Sequence, residues 1–161
     1  MPKVNMKDCV EFVSGSPDKT RRIGNILARE ILKSSSGNKA VVLGLMGDLG
    51  GGKTTFLQGF AFGLGLREKV LSPTFVIFRR NRIGGNPVFK NFFHFDCYRI
   101  GKPEEVLSLG LKDIISDPRN IVAIEWAGRL GKTLPLDAVL LDFEFINKTT
   151  RKIHVCCKKG K

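Results

Sequence analysis

The apolar run Val41-Val42-Leu43-Gly44-Leu45-Met46 leads straight into Gly47-x-x-x-x-Gly52-Lys53-Thr54, and no other stretch restricts the possible folds of this chain so sharply. The β-branched run reads as a buried strand, and Thr55-Phe56-Leu57-Gln58-Gly59-Phe60-Ala61 reads as a helix. Between them Gly47, Asp48, Gly50, Gly51 and Gly52 form a loop in which glycines permit φ > 0 and no Cβ fills the concavity. This is the Walker A arrangement, in which Lys53 reaches the β/γ-phosphates and the Thr54 hydroxyl holds Mg²⁺. The helix opening at Thr55 adds a favourable dipole at the anion. A strand before the loop and a helix after it supply the context the motif requires, so the chain is expected to bind a nucleoside triphosphate.

Length fits one domain over residues 1–161, enough to bury a core. No apolar run approaches the ~18 residues of a membrane span, and Met1 to Asp8 lacks the apolar segment of a secretory signal. A cytoplasmic protein is expected. Cys9, Cys97, Cys156 and Cys157 show no CxxC spacing and read as reduced thiols, while His154 with Cys156 and Cys157 lacks a fourth zinc ligand. The net charge of +12 favours polyanions such as RNA, or serves solubility alone.

Along the chain, Cys9 to Val13 alternates as a short strand. Ser16 as N-cap and Pro17 at the first turn open a helix over 17–33, with Ile23, Ile26, Leu27 and Ile31 facing the core. After the loop and its helix, Ser72-Pro73-Thr74-Phe75-Val76-Ile77-Phe78 reads as a turn opening into a strand. Arg79 to Pro87 reads as a basic hairpin connection tipped by Gly84-Gly85, and residues 88–96 as the returning strand. A short helix starts at Pro103, another turn of helix falls at Asp113 to Ser116, and Ile121 to Ile124 is a buried strand delivering Glu125-Trp126. The tail alternates like an antiparallel hairpin around Asn147-Lys148-Thr149-Thr150. The sum is an α/β fold: a three-layer P-loop NTPase-like domain with a mixed, partly antiparallel sheet.

Phosphoryl transfer needs a carboxylate at a strand end to help the loop hydroxyl hold the metal. Asp96 and Glu125 both end apolar strands; one suits the metal and the other the attacking water. Thr74 falls where a switch-type loop places a hydroxyl near the γ-phosphate, or caps its own turn. Arg99 suits transferred charge or a surface acid, Tyr98 and Trp126 suit stacking or packing, and His94, on the face of Phe92 and Asp96, reads as a satisfied core histidine or one that supports a site residue rather than as a catalytic one. Guanine-specific relatives of this motif use Asn-Lys-x-Asp; Asn147-Lys148-Thr149-Thr150 lacks the acid, so ATP is preferred over GTP.

Taken together, Gly47-Asp48-Leu49-Gly50-x-Gly52-Lys53-Thr54-Thr55-Phe56, Ser72-Pro73-Thr74-Phe75, His94-x-Asp96-x-Tyr98-Arg99 and Ile124-Glu125-Trp126 resemble the bacterial TsaE family over roughly residues 9–147. The Walker A piece is generic and the combination is specific. The resemblance implies a small Mg²⁺-dependent ATPase of the tRNA threonylcarbamoyladenosine pathway, weak alone and active when docked on two related partners of the TsaB and TsaD type. Those partners modify adenosine 37 of tRNA, which the chain then meets indirectly, while its +12 charge leaves direct contact open. Carried over, Lys53 contacts phosphate, Thr54 and Glu125 hold Mg²⁺, Asp96 supports hydrolysis, Thr74 belongs to a switch-like loop and Trp126 lies beside the site. Thr20 resembles the family's N-terminal Thr near the base. Gly51 departs from the family's usual Ala. Two other readings are a small-molecule kinase, for which the sequence has no obvious Arg-rich lid beyond the short basic hairpin, and a nucleotide-sensing RNA-binding or scaffold module, which needs fewer than the two carboxylates.

Overall fold

The computed structural model describes residues 9–35, 37–67 and 77–157. Among them, four parallel strands form the centre of one mixed sheet: β2 (Val41–Gly47), β4 (Asn91–Asp96), β5 (Asn120–Glu125) and β6 (Val139–Phe145). Antiparallel strands β1 (Cys9–Ser14), β3 (Phe78–Arg82) and β7 (Arg151–Cys156) extend it, giving the order β1-β7-β6-β2-β5-β4-β3. Helices α1 (Pro17–Lys33) and α2 (Lys53–Gly63) cover one face. The other face carries α3 (Pro103–Leu107), α4 (Leu111–Ser116) and the 3₁₀ segment Ala127–Thr133. The three-layer architecture expected from the sequence is therefore present, and its central strands are apolar because both faces are covered.

Alternation distributes the core. On β5, Ile121 and Ala123 join the α1/α2 side, while Val122 and Ile124 join the other. His94 and Glu125 fall on the α1/α2 side of neighbouring strands, so the sheet's own period aims both at one point. Helices α1 and α2 pack backbone to backbone: a Cβ at Gly24 would overlap the Phe56 carbonyl, and one at Gly59 would overlap the Arg21 carbonyl. Ser16 caps α1 by accepting from Lys19 N at 3.2 Å, with Pro17 in the first turn, as its sequence indicates.

Four expectations change. Ile26 is 53% exposed rather than part of the core. It lies two residues, about 200° around the helix, from the Gly24 contact with α2. The basic stretch Arg79–Arg82 is not a connection but the body of β3, paired with β4 from Phe78↔Phe95 to Arg82↔Asn91. The returning strand starts at Asn91 rather than Val88, because the Asn86 side chain accepts from Val88 N and Phe89 N and holds that segment in a turn. Finally, Cys9 and Cys156 are not free thiols: they face one another in the β1–β7 register and form a disulfide. A sequence separation of 147 hides that pairing from any spacing rule. Cys97 and Cys157 are free. No helix among the described residues is long and apolar enough to cross a membrane.

Candidate functional site: a phosphate-binding cleft at the strand ends

Strands β2, β4 and β5 run parallel, so their carboxyl ends open on one edge of the sheet, where α/β folds bind ligands. There a cleft of about 370 Å³ is lined by Leu49 to Thr55, by Thr20, by Asp96, Tyr98, Glu125 and Trp126, and by Lys148, Thr149 and Arg151. The loop after β2 takes left-handed turns at Gly50 (φ 77°) and Gly52 (φ 99°), which L side chains rarely adopt. Gly52 is the N-cap of α2 and, among the described residues, no side chain caps that helix start. Its first amides thus lack an internal acceptor and carry the positive end of the helix dipole, which suits an anion.

Lys53, 5% exposed, donates to the carbonyls of Gly47 (2.6 Å) and Asp48 (2.7 Å), with its ammonium 4.0 Å from the centroid of the Trp126 ring. Burial lowers its pKa below the usual lysine range, against the opposing pull of Glu125, Asp48, Asp96 and Asp142. Gly47 and Asp48 therefore do not line the cleft; they hold the lysine from behind. Trp126 is the one non-glycine residue at positive φ (59°) among the described residues, an unfavourable state for a bulky side chain. That turn directly after Glu125 sets the indole against Lys53 and, at 5.0 Å between centroids, against Tyr98.

The two acids come together. Asp96 and Glu125 are opposite in the β4–β5 register, and both line the cleft. Glu125, 2% exposed, accepts from Thr54 Oγ1 at 3.1 Å and from His94 Nε2 at 2.9 Å. A carboxylate only accepts, so His94 donates through Nε2 and Nδ1 is left as a buried nitrogen without a partner among the described residues. Asp96 Oδ1 accepts from the Tyr98 amide at 2.9 Å, which orients the carboxylate at the end of β4. The Thr54 hydroxyl and Glu125 carboxylate form a hard-oxygen pair of the kind Mg²⁺ takes, with substrate phosphates completing the shell. The residues present fit the ion.

Thr20 is 2% exposed and its hydroxyl is engaged by Ser14 Oγ (2.8 Å) and Ser16 O (3.3 Å), so it contributes shape to the cleft wall. Arg99 is exposed and stands outside the cleft lining. Thr74, with the rest of Ser72-Pro73-Thr74-Phe75, lies outside the described residues. A Cβ at Gly51 would come within 3.0 Å of the Asp48 carbonyl and 3.3 Å of the Phe143 carbonyl, so glycine here matches a tightly packed loop. The far wall, Lys148, Thr149 and Arg151, was not expected from the sequence. Arg151 donates from Nε to Gly50 O at 3.0 Å, tying the β6–β7 turn to the phosphate loop across a separation of 101 residues. The only hint in the sequence was a basic turn between two alternating segments.

Strand, glycine loop, helix and paired strand-end acids define a P-loop NTPase-like domain. The TsaE profile, described as "Threonylcarbamoyl adenosine biosynthesis protein TsaE", matches residues 14–153, and the chain belongs to this family. It is similar to the tRNA threonylcarbamoyladenosine biosynthesis protein TsaE of Haemophilus influenzae, 35% identical over 77% of this chain and 75% of the relative. The protein of that name from Bacillus subtilis is 33% identical over 86% of this chain and 79% of the relative. Among solved structures, Bacillus subtilis YdiB superposes with a TM-score of 0.70 at 25% identity, covering 92% of this chain and 85% of the other.

Proposed function

We propose that this chain is the ATPase of tRNA threonylcarbamoyladenosine synthesis, hydrolysing ATP weakly alone and faster when docked on partners of the TsaB and TsaD type. One observation carries the reading: Lys53, Thr54, Asp96 and Glu125 converge on an uncapped helix start beside a glycine loop. The loop amides and Lys53 bind the triphosphate, the lysine leaving the Gly47 and Asp48 carbonyls for phosphate oxygens. Thr54 and Glu125 would hold Mg²⁺, which would supply positive charge against the phosphates. His94 fixes the Glu125 carboxylate from behind. Asp96, oriented by the Tyr98 amide, directs and deprotonates the attacking water. ATP is favoured over GTP because the turn at Asn147 has no acid to read guanine. Work on tRNA puts the chain in the cytoplasm.

The test is ATP hydrolysis by the purified chain, alone and with the partner pair, for wild type and Glu125→Ala. Partner-stimulated turnover that falls ~10²–10³-fold in the variant is the expected result. Nucleotide binding without hydrolysis in either condition would instead make the chain a sensor.

A further inference from the structure

At the opposite end of β4 and β5 from the phosphate loop, a second cleft of about 660 Å³ is lined by Arg80, Arg82, Lys90 and Arg119 with Ile83 and Asn91. It lies five residues from Asp96 along β4, about 17 Å at the rise of a strand. We infer that this cleft binds phosphate groups of an RNA backbone, giving the chain its own contact with RNA separate from the nucleotide site.

Three observations carry the inference. First, the charge is one-sided: residues 77–95 hold Arg79, Arg80, Arg82 and Lys90 and no Asp or Glu. Among the described residues, the only ion pair at this cleft is Arg119 with Asp117, at 2.8 Å. Second, the cations come from separate segments and are drawn together by the fold. Strand β3 supplies two, and backbone bonds from Ile83 N to Lys90 O and from Lys90 N to Arg119 O bring in the others. Charges on an edge strand by themselves suffice to deter pairing with another sheet. Arg119 is neutralised by Asp117, but gathering Arg80, Arg82 and Lys90 beside it in one concavity leaves three cations repelling one another, which an anion relieves.

Third, one donor fork is held ready. Asn91 Oδ1 accepts from Arg80 Nε (3.1 Å) and Nη2 (2.9 Å). Asn91 in turn donates to Asn120 Oδ1 at 2.9 Å, and Asn120, 4% exposed, donates to Ile114 O at 2.9 Å. This chain anchors the guanidinium to the core and leaves three of its five N–H groups for an outside acceptor. A planar, pre-set fork matches phosphate oxygens. The choice of RNA over another polyanion rests on the tRNA reading above.

The experiment is fluorescence anisotropy of the full chain with a labelled, unmodified tRNA transcript, titrated at several salt concentrations, with ATP hydrolysis assayed in parallel. Wild type is expected to bind with a Kd of about 1–100 μM at physiological salt. Arg82→Ala/Lys90→Ala removes two exposed cations; it should weaken binding about tenfold and reduce the log–log salt slope by about 1.4–1.8, with hydrolysis unchanged. Arg82→Lys/Lys90→Arg should retain binding, and Arg22→Ala/Arg29→Ala on α1 should behave as wild type. Thermal unfolding of each variant checks folding, and Arg119→Ala repeats the test from another segment. The inference is overturned if wild type does not bind the transcript, if the cleft variants keep the wild-type slope, or if the chain prefers phosphatidylserine vesicles to RNA. Cleft-dependent RNA binding by a chain that hydrolyses no ATP would sink the ATPase reading and leave this inference standing.

Discussion

Glu125→Ala removes a side chain that one buried and one half-buried group depend on, and its cost divides between the fold and the site. In the structure Glu125 accepts from His94 Nε2 at 2.9 Å and from Thr54 Oγ1 at 3.1 Å, with His94 only 1% exposed. The Thr54 hydroxyl lines the cleft and can turn to solvent. The His94 N–H cannot, and its other ring nitrogen already lacks a partner among the described residues. Leaving one such buried donor unsatisfied costs about 1–3 kcal/mol. For a domain of this size that corresponds to a fall in Tm of about 2–12 °C. His94→Leu instead takes one of two donors from the buried carboxylate, which keeps the Thr54 hydroxyl, and should cost about 1–3 kcal/mol. The double variant His94→Leu/Glu125→Ala strands neither, so it should be more stable than the sum of the singles by about 0.5–3 kcal/mol. Thermal or urea unfolding of the four proteins without nucleotide measures this directly. If the two single effects add, the His94–Glu125 bond does not hold the carboxylate and the positioning role assigned to His94 is wrong. Lys53→Ala provides the contrast: its partners are loop carbonyls near solvent, so it should abolish nucleotide binding with little effect on unfolding.

Three other outcomes follow from the geometry. In the proposed site Lys53 meets phosphate as the ammonium, and burial lowers its pKa. ATP affinity should therefore fall as pH rises through a value below the ordinary 10.5, while Lys53→Arg keeps its charge across that range; titration calorimetry from pH 7 to 10 tests this. Arg151→Ala cuts the tie to Gly50 and also two bonds from Nη1 to the Asn147 and Thr150 carbonyls of its own hairpin; it should raise the Kd for ATP about fivefold, near 1 kcal/mol for the exposed bond to the loop, with a small fall in Tm. Unchanged affinity would assign Arg151 to the hairpin alone. Cys9→Ser, or reduction of the wild type, opens a loop spanning a separation of 147 residues and should cost about 2–4 kcal/mol. Unfolding with and without dithiothreitol reads it, and identical curves would mean that the bond contributes nothing in solution.

Local chemistry was legible in the sequence wherever a residue's role is set by its near neighbours. The glycine loop, the Ser16–Pro17 helix start, the buried β5 and the tail hairpin all follow from short-range patterns, and so does the three-layer class they add up to. That Asp96 and Glu125 each end a strand was also readable; that they lie side by side was not, because strand order is fixed by packing between distant segments. The same reason hid the bond from His94 to Glu125, the Cys9–Cys156 bridge and the Arg151 tie to the loop, each joining residues that sequence spacing cannot relate. Ile26 was misplaced because helical period marks an apolar face but does not say which side the neighbouring helix takes. Sequence alone determined a glycine loop between strand and helix, shaped as a cradle for phosphate. Tertiary structure decided what surrounds the cradle, since a cleft is made by groups that only a folded sheet brings within a few ångströms.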